Sequence, residues 1–284
     1  MKLTVLVDNH TYIDRYYLGE PAVSYLIEDG EHLILFDMGY SDVFLENAKR
    51  MGIDLGRVTD IVLSHGHNDH TGGLPAFFAR FTQPVRLFAH LSAFLPKRHQ
   101  GADAGSPMPL YELPRWVSLQ LGAKPRRVSE HIWCLGEVPR IFPFELDRAV
   151  GETLSSCGCC WESDTLRDDT ALVLALPEGA FVVTGCAHAG VCNTVAYAKQ
   201  VSGASRTLGL LGGFHLFETG EALDRTLAEL RNLGVERVYP AHCTSLPVKA
   251  AFVGAFDTVE VGVGLQIDWQ LGGTPPARSG MMPD

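Results

Sequence analysis

The run TDIVLSHGHNDHTGGLPAFF, residues 59–78, places His65, His67, Asp69 and His70 together after a short apolar stretch. In an extended or gently turning segment, residues two apart point the same way. His65 and His67 can therefore grip one ion, with Gly66 allowing the tight path between them. Asp69 and His70 then face a neighbouring position, which suits a second ion about 3.5–4 Å from the first, as in two-metal hydrolytic sites. A lone histidine is most often a satisfied core or surface imidazole; four ligand-type residues at one strand end point to metal instead. Two divalent ions are expected, zinc by default, although nitrogen-rich ligation suits iron, manganese or nickel as well. Such a pair polarises a phosphoryl or carbonyl oxygen and activates water near neutral pH, so metal-dependent hydrolysis of a small molecule is the leading reaction class, with Asp69 at the catalytic centre.

Residues that must converge need elements to carry them. KLTVLVDN, AVSYLIEDG, HLILFDMG and DIVLSHG read as short strands closed by Gly, Asp or Asn, and DVFLENAKRMGI has helical spacing. A helix is expected from Gly72 to about Arg80 with Thr71 as its cap, followed by the strand PVRLFAH. Pattern resumes with TALVLALPEGAFVVTGC, a hairpin turning at PEG. VCNTVAYAKQVSG then reads as helix, RTLGLLGGFH as strand, EALDRTLAELRNLGV as amphipathic helix and RVYPAHCT as strand. The chain thus falls into two similar halves, each a sheet followed by helices. Residues 1–270 form one domain on this reading, with a variable insertion at about 96–167, where Pro, Gly, Ser and Arg dominate and only fragments such as RRVSEHIWCLG look strand-like. An unstructured tail is expected over 271–284.

Composition narrows the partners. A net charge of −10 leaves KPRR, residues 124–127, as the one modest basic knot, which argues against a general nucleic-acid surface. The apolar runs are too short and interrupted for a bilayer span, and MKLTVLVDNH alternates like a first strand instead of a secretory leader. A cytoplasmic setting, no membrane partner and a small-molecule substrate that could be anionic are expected; oligomeric state is left open. Seven cysteines in a chain large enough to fold without staples are expected to be reduced thiols.

HGHNDH, together with LFDMG, DDTALVLALPEGAFVVTGCAHAGVCNTV, LLGGFHL and PAHCTS, resembles the ordered motifs of the metallo-β-lactamase fold superfamily. The match is to a branch of metal-dependent hydrolases related to the archaeal 7,8-dihydropterin-6-ylmethyl-4-(β-D-ribofuranosyl)aminobenzene 5′-phosphate synthase. The resemblance implies an α/β fold of the α+β kind: a four-layer αββα sandwich with metals at one edge of its two sheets. It implies that His65 and His67 serve one metal and Asp69 and His70 the other, with Asp37 orienting ligands from behind and His242 completing the set. Many relatives carry an Asp ligand after the TG strand end; here Cys186 stands there, with His188 two residues on. His188 is the expected ligand, and Cys186 is expected behind the ligands, where it could bridge or pack. His215 is either a further ligand or a proton-transfer group facing substrate, weighed against a satisfied structural histidine.

The remaining candidates have blander readings. Cys157, Cys159 and Cys160 in CGCC lack a paired second motif, so exposed free thiols outweigh a zinc or iron–sulfur site. Asp168 and Asp169 open a strand, where turn-capping competes evenly with catalysis. Arg126, Arg127 and Arg140 could meet a phosphate, but solvated surface is their commoner fate. Two alternatives to hydrolysis stand beside it. One is a metal-dependent transferase that forms a C–N bond, as the resembling synthase does when it joins a dihydropterin-methyl diphosphate to a ribosylated aromatic amine. The other is a non-catalytic ligand-binding or regulatory protein on the same fold, against which the complete HGHNDH counts. A redox di-iron role is weaker, because no flavin-binding domain is appended.

Overall fold

The computed structural model describes residues 1–145, 149–155 and 157–272. One seven-stranded sheet has the spatial order Gln266–Asp268, Lys2–Val7, Ser24–Asp29, His32–Phe36, Asp60–Val62, Val85–Ala89, Val117–Leu121. The other seven-stranded sheet runs Arg126–Arg127, Ile132–Cys134, Ala171–Leu176, Gly179–Thr184, Thr207–Gly213, Arg237–Ala241, Asp257–Thr258. In these orders both sheets have antiparallel joints in their first half and parallel joints in their second. Parallel neighbours need a crossover, and helices supply most of them: Val43–Arg50, Leu74–Arg80, Val191–Ser202, Glu221–Asn232 and Leu246–Ala255.

The period-2 alternation of side chains builds the layers. Leu172, Leu174, Phe181 and Val183 from one sheet meet Tyr25, Ile27, Ile34 and Phe36 from the other in a single buried cluster. The intervening Ala171, Val173, Ala180 and Val182 face the opposite way, onto Val191, Val195, Leu230 and Phe252 of the helices. Leu26 and Leu35 likewise pack on Phe44, Leu74 and Phe77. Three apolar seams between four layers make an αββα sandwich, and each fully buried Val, Leu, Ile or Phe in them stabilises it by about 1.5–3 kcal/mol.

Two differences from the sequence reading matter for the site. The helix expected from Gly72 is preceded by a separate single turn, Asn68–Thr71, and proper helix resumes at Leu74–Arg80. The Gly72–Gly73 pair, poor in helix propensity, separates the two pieces. Within 96–167, the strands Val117–Leu121 and Ile132–Cys134 join the main sheets, whereas Lys97–His99, Ala102–Asp103, Glu152–Leu154 and Trp161–Ser163 form a four-stranded sheet of their own. That small sheet touches the metal-motif turn, because the Asn68 N–H donates to the Ala104 carbonyl at 2.9 Å. Of the tail expected over 271–284, residues 273–284 lie outside the described residues. No helix among the described residues is long and apolar enough to cross a membrane.

Candidate metal centre

The ligand-type residues gather where parallel strands of both sheets end, a general location for sites in open sheets. Asp37 follows His32–Phe36, Ala187 follows Gly179–Thr184, His215 follows Thr207–Gly213 and His242 follows Arg237–Ala241. All four have left-handed backbone, with φ of 57°, 53°, 48° and 42°. A non-glycine residue there costs about 1–3 kcal/mol, which the surroundings must overcome. They do so by hydrogen bonding. The Asp37 N–H donates to Val62 O at 3.0 Å, and the His242 N–H donates to Asp8 Oδ2 at 3.0 Å. These sharp turns let chains leaving the sheets aim side chains back across the edge.

Two ligand groups result. His65, His67 and His188 bring one nitrogen each to within 4.8 Å of the others, and Asp69, His70, Cys186 and His242 do the same with an oxygen, two nitrogens and a sulfur. The imidazoles of the first group pack edge to face, with His188 4.8 Å from His65 and 5.3 Å from His67 between ring centroids. Gly66 between the two motif histidines is pressed against the Ala93 carbonyl, so closely that a Cβ would collide with it. His215 belongs to neither group. Its ring lies 4.3 Å from that of His188 and 4.9 Å from Phe217.

The inward nitrogens of His65, His70 and His242 are aimed by a partner on the other side of each ring. Asp37 Oδ2 accepts from Ser64 Oγ and from His70 Nδ1, both at 2.7 Å. Ser64 Oγ, its proton given to Asp37, accepts from His65 Nδ1 at 2.9 Å. Asn9 Oδ1 accepts from His242 Nδ1 at 2.9 Å. This network assigns the ring protons to Nδ1 and leaves Nε2 of His65, His70 and His242 as inward lone pairs.

Comparison with known proteins agrees with this geometry. The family model described as the metallo-beta-lactamase superfamily matches residues 18–149. A solved structure described as a metal-dependent hydrolase of the β-lactamase superfamily superposes with a TM-score of 0.81 at 27% identity, covering 95% of this chain and 99% of its own. Residues 18–149 thus match the metallo-beta-lactamase superfamily, and nearly the whole chain shares the fold of a solved protein described as one of its members. Among curated members, the 7,8-dihydropterin-6-methyl-4-(β-D-ribofuranosyl)-aminobenzene-5′-phosphate synthase of Methanocaldococcus jannaschii is 27% identical over 90% of this chain and 92% of its own. A hydroxyacylglutathione hydrolase of Enterobacter sp. (strain 638) is 26% identical over 64% of this chain and 67% of its own.

The donors fit the divalent ions that superfamily members bind. Among the described residues, neither buried nitrogen of His188 has a hydrogen-bond partner, an expensive arrangement for a shielded imidazole. His242 Nε2 points its lone pair at Asp69 Oδ2 from 3.2 Å, and two acceptors so close repel unless a cation lies between them. Burial and neighbouring imidazoles hold His65 and His188 well below the ordinary histidine range, and burial draws His67 down to about 4. These imidazoles are therefore neutral and free to coordinate. Burial acts to raise Asp69, but in the metal-free protein the His70 and His242 rings outweigh it whenever they carry a second proton and keep the carboxyl ionised.

Cys186, expected behind the ligands, stands among them, with its sulfur 3.1 Å from His70 Nε2. Burial pushes its thiol pKa well up, as it would for any thiol that must wait for a metal to lose its proton. Asn9, Ser64 and Asp8, which the motif reading missed, hydrogen-bond to His242 and His65; their types carry no signal of their own, and only their places beside those loops reveal them. CGCC forms the exposed end of the Glu152–Leu154/Trp161–Ser163 hairpin. Cys157 and Cys159 are joined there as a disulfide and Cys160 is free, where three reduced thiols were expected. The turn over residues 157–159 brings the two Cα atoms to 5.4 Å, within the span a disulfide needs.

Proposed function

We infer that this protein is a dinuclear metal-dependent hydrolase of a small molecule that carries a phosphate, ester or lactone group. The observation that supports this reading is the pair of adjoining ligand groups, His65–His67–His188 and Asp69–His70–Cys186–His242, converging from both sheets with inward lone pairs. Zinc, iron, manganese or nickel held there would supply Lewis acidity and a water acidified toward neutral pH. The chain's own residues do the rest. Asp37, Ser64 and Asn9 orient the imidazoles, and Asp69 is ionised and within reach of both His70 and His242. His188 and His215 face a small cavity of about 40 Å³ with Phe144, Glu145 and Phe214, and His215, its ring 4.3 Å from that of His188, is the imidazole placed to carry a proton.

A second reading keeps the ions and changes the reaction to C–N bond formation. Its support is the similarity to the Methanocaldococcus jannaschii synthase across nearly the whole of both chains. One experiment tests both readings: metal-loaded protein incubated with phosphodiesters, lactones and thioesters, and separately with a dihydropterin-methyl diphosphate plus a ribosylated aminobenzene phosphate. Hydrolysis of one member of the first panel is the expected result. Product from the pair alone would replace the hydrolase reading, and silence on every substrate would favour a binding role.

A further inference from the structure

Asp168 and Asp169 precede the central strand Ala171–Leu176, and both are 1% exposed. Asp168 Oδ2 accepts the Gly66 N–H at 2.8 Å, and Gly66 is the residue between His65 and His67. Two positions on, the Thr170 N–H donates to the Ser64 carbonyl at 2.8 Å, so this short run grips the motif loop on both sides of His65. Asp169 points the other way, as successive side chains of extended backbone do. Its Oδ2 accepts the Ala189 N–H at 2.9 Å, next to His188.

We propose that Asp168 and Asp169 are the positioning residues of the three-imidazole group, Asp168 fixing the loop of His65 and His67 and Asp169 fixing the loop of His188. Three histidines from two remote loops are thereby referred to one dipeptide. The proposal rests on the metal reading above, and it gives a reason for the Asp168 charge at a place where burial makes charge expensive. Asp168 is held in turn by Lys97, whose ammonium lies 3.2 Å from Asp168 Oδ1 and 2.6 Å from Asp164 Oδ2, and which is 2% exposed. Lys97 belongs to the small sheet, so the insertion is wired to the metal loop through this pair. The charge also suits the ligands: three neutral imidazoles contribute nothing to balance a divalent ion, whereas the second group already contains Asp69 and Cys186.

The test uses Co(II) as the probe metal on the full chain, since the thiolate of Cys186 gives the second group a sulfur-to-cobalt charge-transfer band that three imidazoles lack. Affinity is read for each equivalent by competition with a chelator, and the fold by circular dichroism and Tm of the metal-free protein. In Asp168→Ala and Asp169→Ala the equivalent without the thiolate band should weaken by about 10- to 100-fold, the usual effect of removing a group that orients ligands, while the banded equivalent stays. Asp168→Asn, which keeps the acceptor for Gly66 and drops the charge, should recover part of the loss, and it serves as the folded variant if alanine is not tolerated. A parent that binds two equivalents and variants that keep both at parental affinity, or lose both alike, would overturn the proposal alone. A parent that takes up no ions would overturn the metal reading, and this proposal with it.

Discussion

On the dinuclear reading proposed above, replacing His67 with Ala removes one of the three imidazoles of its group, and an ion held there would lose one of its three protein bonds. Metal content and turnover should therefore collapse together. His215 stands outside both groups but against His188 and the small cavity, so His215→Ala should cost about 10²- to 10⁴-fold in turnover with metal content unchanged, the mark of a proton-transfer group. Elemental analysis and rate are to be measured on the same folded samples, because misfolding lowers both. A His215 variant that loses one ion would move the residue into coordination; one with full activity would leave it structural.

At the scale of elements, the site depends on how strands end. Asp37, His215 and His242 sit in left-handed backbone at the ends of parallel strands, and the one-turn helix Asn68–Thr71 carries Asp69 and His70. Gly185, at the end of its own strand, lets the two sheets meet: a Cβ there would press on Ser64 and on Asp37 Oδ2, the groups that aim His65 and His70. The CGCC hairpin is a different kind of element. Its three cysteines are exposed, two of them joined as a disulfide, and lie apart from both groups of the centre. Replacing Cys157, Cys159 and Cys160 together with Ser should leave two ions bound and the thiolate band of Co(II) protein intact. Loss of both ions from a folded triple variant would mean that the hairpin reaches the centre.

For the molecule as a whole, the centre ties one sheet to the other and governs how stability responds to acid. In metal-free protein His67 has its pKa lowered from the ordinary 6.5 to about 4 by burial, and His65 and His188 are lowered further by the same cause. The unfolded chain therefore binds more protons than the folded one once pH drops below 6.5, and these three groups withdraw stability down to about pH 4. Asp169 works in the opposite sense. Burial raises it from 3.8 to about 7, so the folded chain holds its proton longer, and its contribution is lost as pH rises through that window. Asp8 and Glu145, also raised by burial, and His70, raised against burial by the Asp69 and Asp37 carboxylates, act in the same sense as Asp169. Replacing Asp169 with Asn removes one of these opposing groups, so the urea midpoint of metal-free protein should fall more steeply between pH 6.5 and 4.5 in the variant than in the parent. A variant midpoint that tracks the parent's across this range would show that Asp169 does not hold its proton in the folded chain.

The amino-acid sequence by itself determined that His65 and His67 belong to one group and Asp69 and His70 to the other, because a few covalent bonds across a tight loop leave those atoms nowhere else to go. It determined the alternating strands and the crossover helices for the same reason: period-2 and period-3.6 patterns are local. Tertiary structure decided what completes each group. His188 joins the motif pair, and His242 and Cys186 join Asp69 and His70, through the register between two sheets that no local spacing encodes. It also decided that Asn9 aims His242, that Ser64 aims His65, and that Asp168 and Asp169, ambiguous in the chain, turn back to back onto two ligand loops. Those roles consist of hydrogen bonds between residues as many as 233 positions apart, and such contacts exist only once the apolar seams have closed.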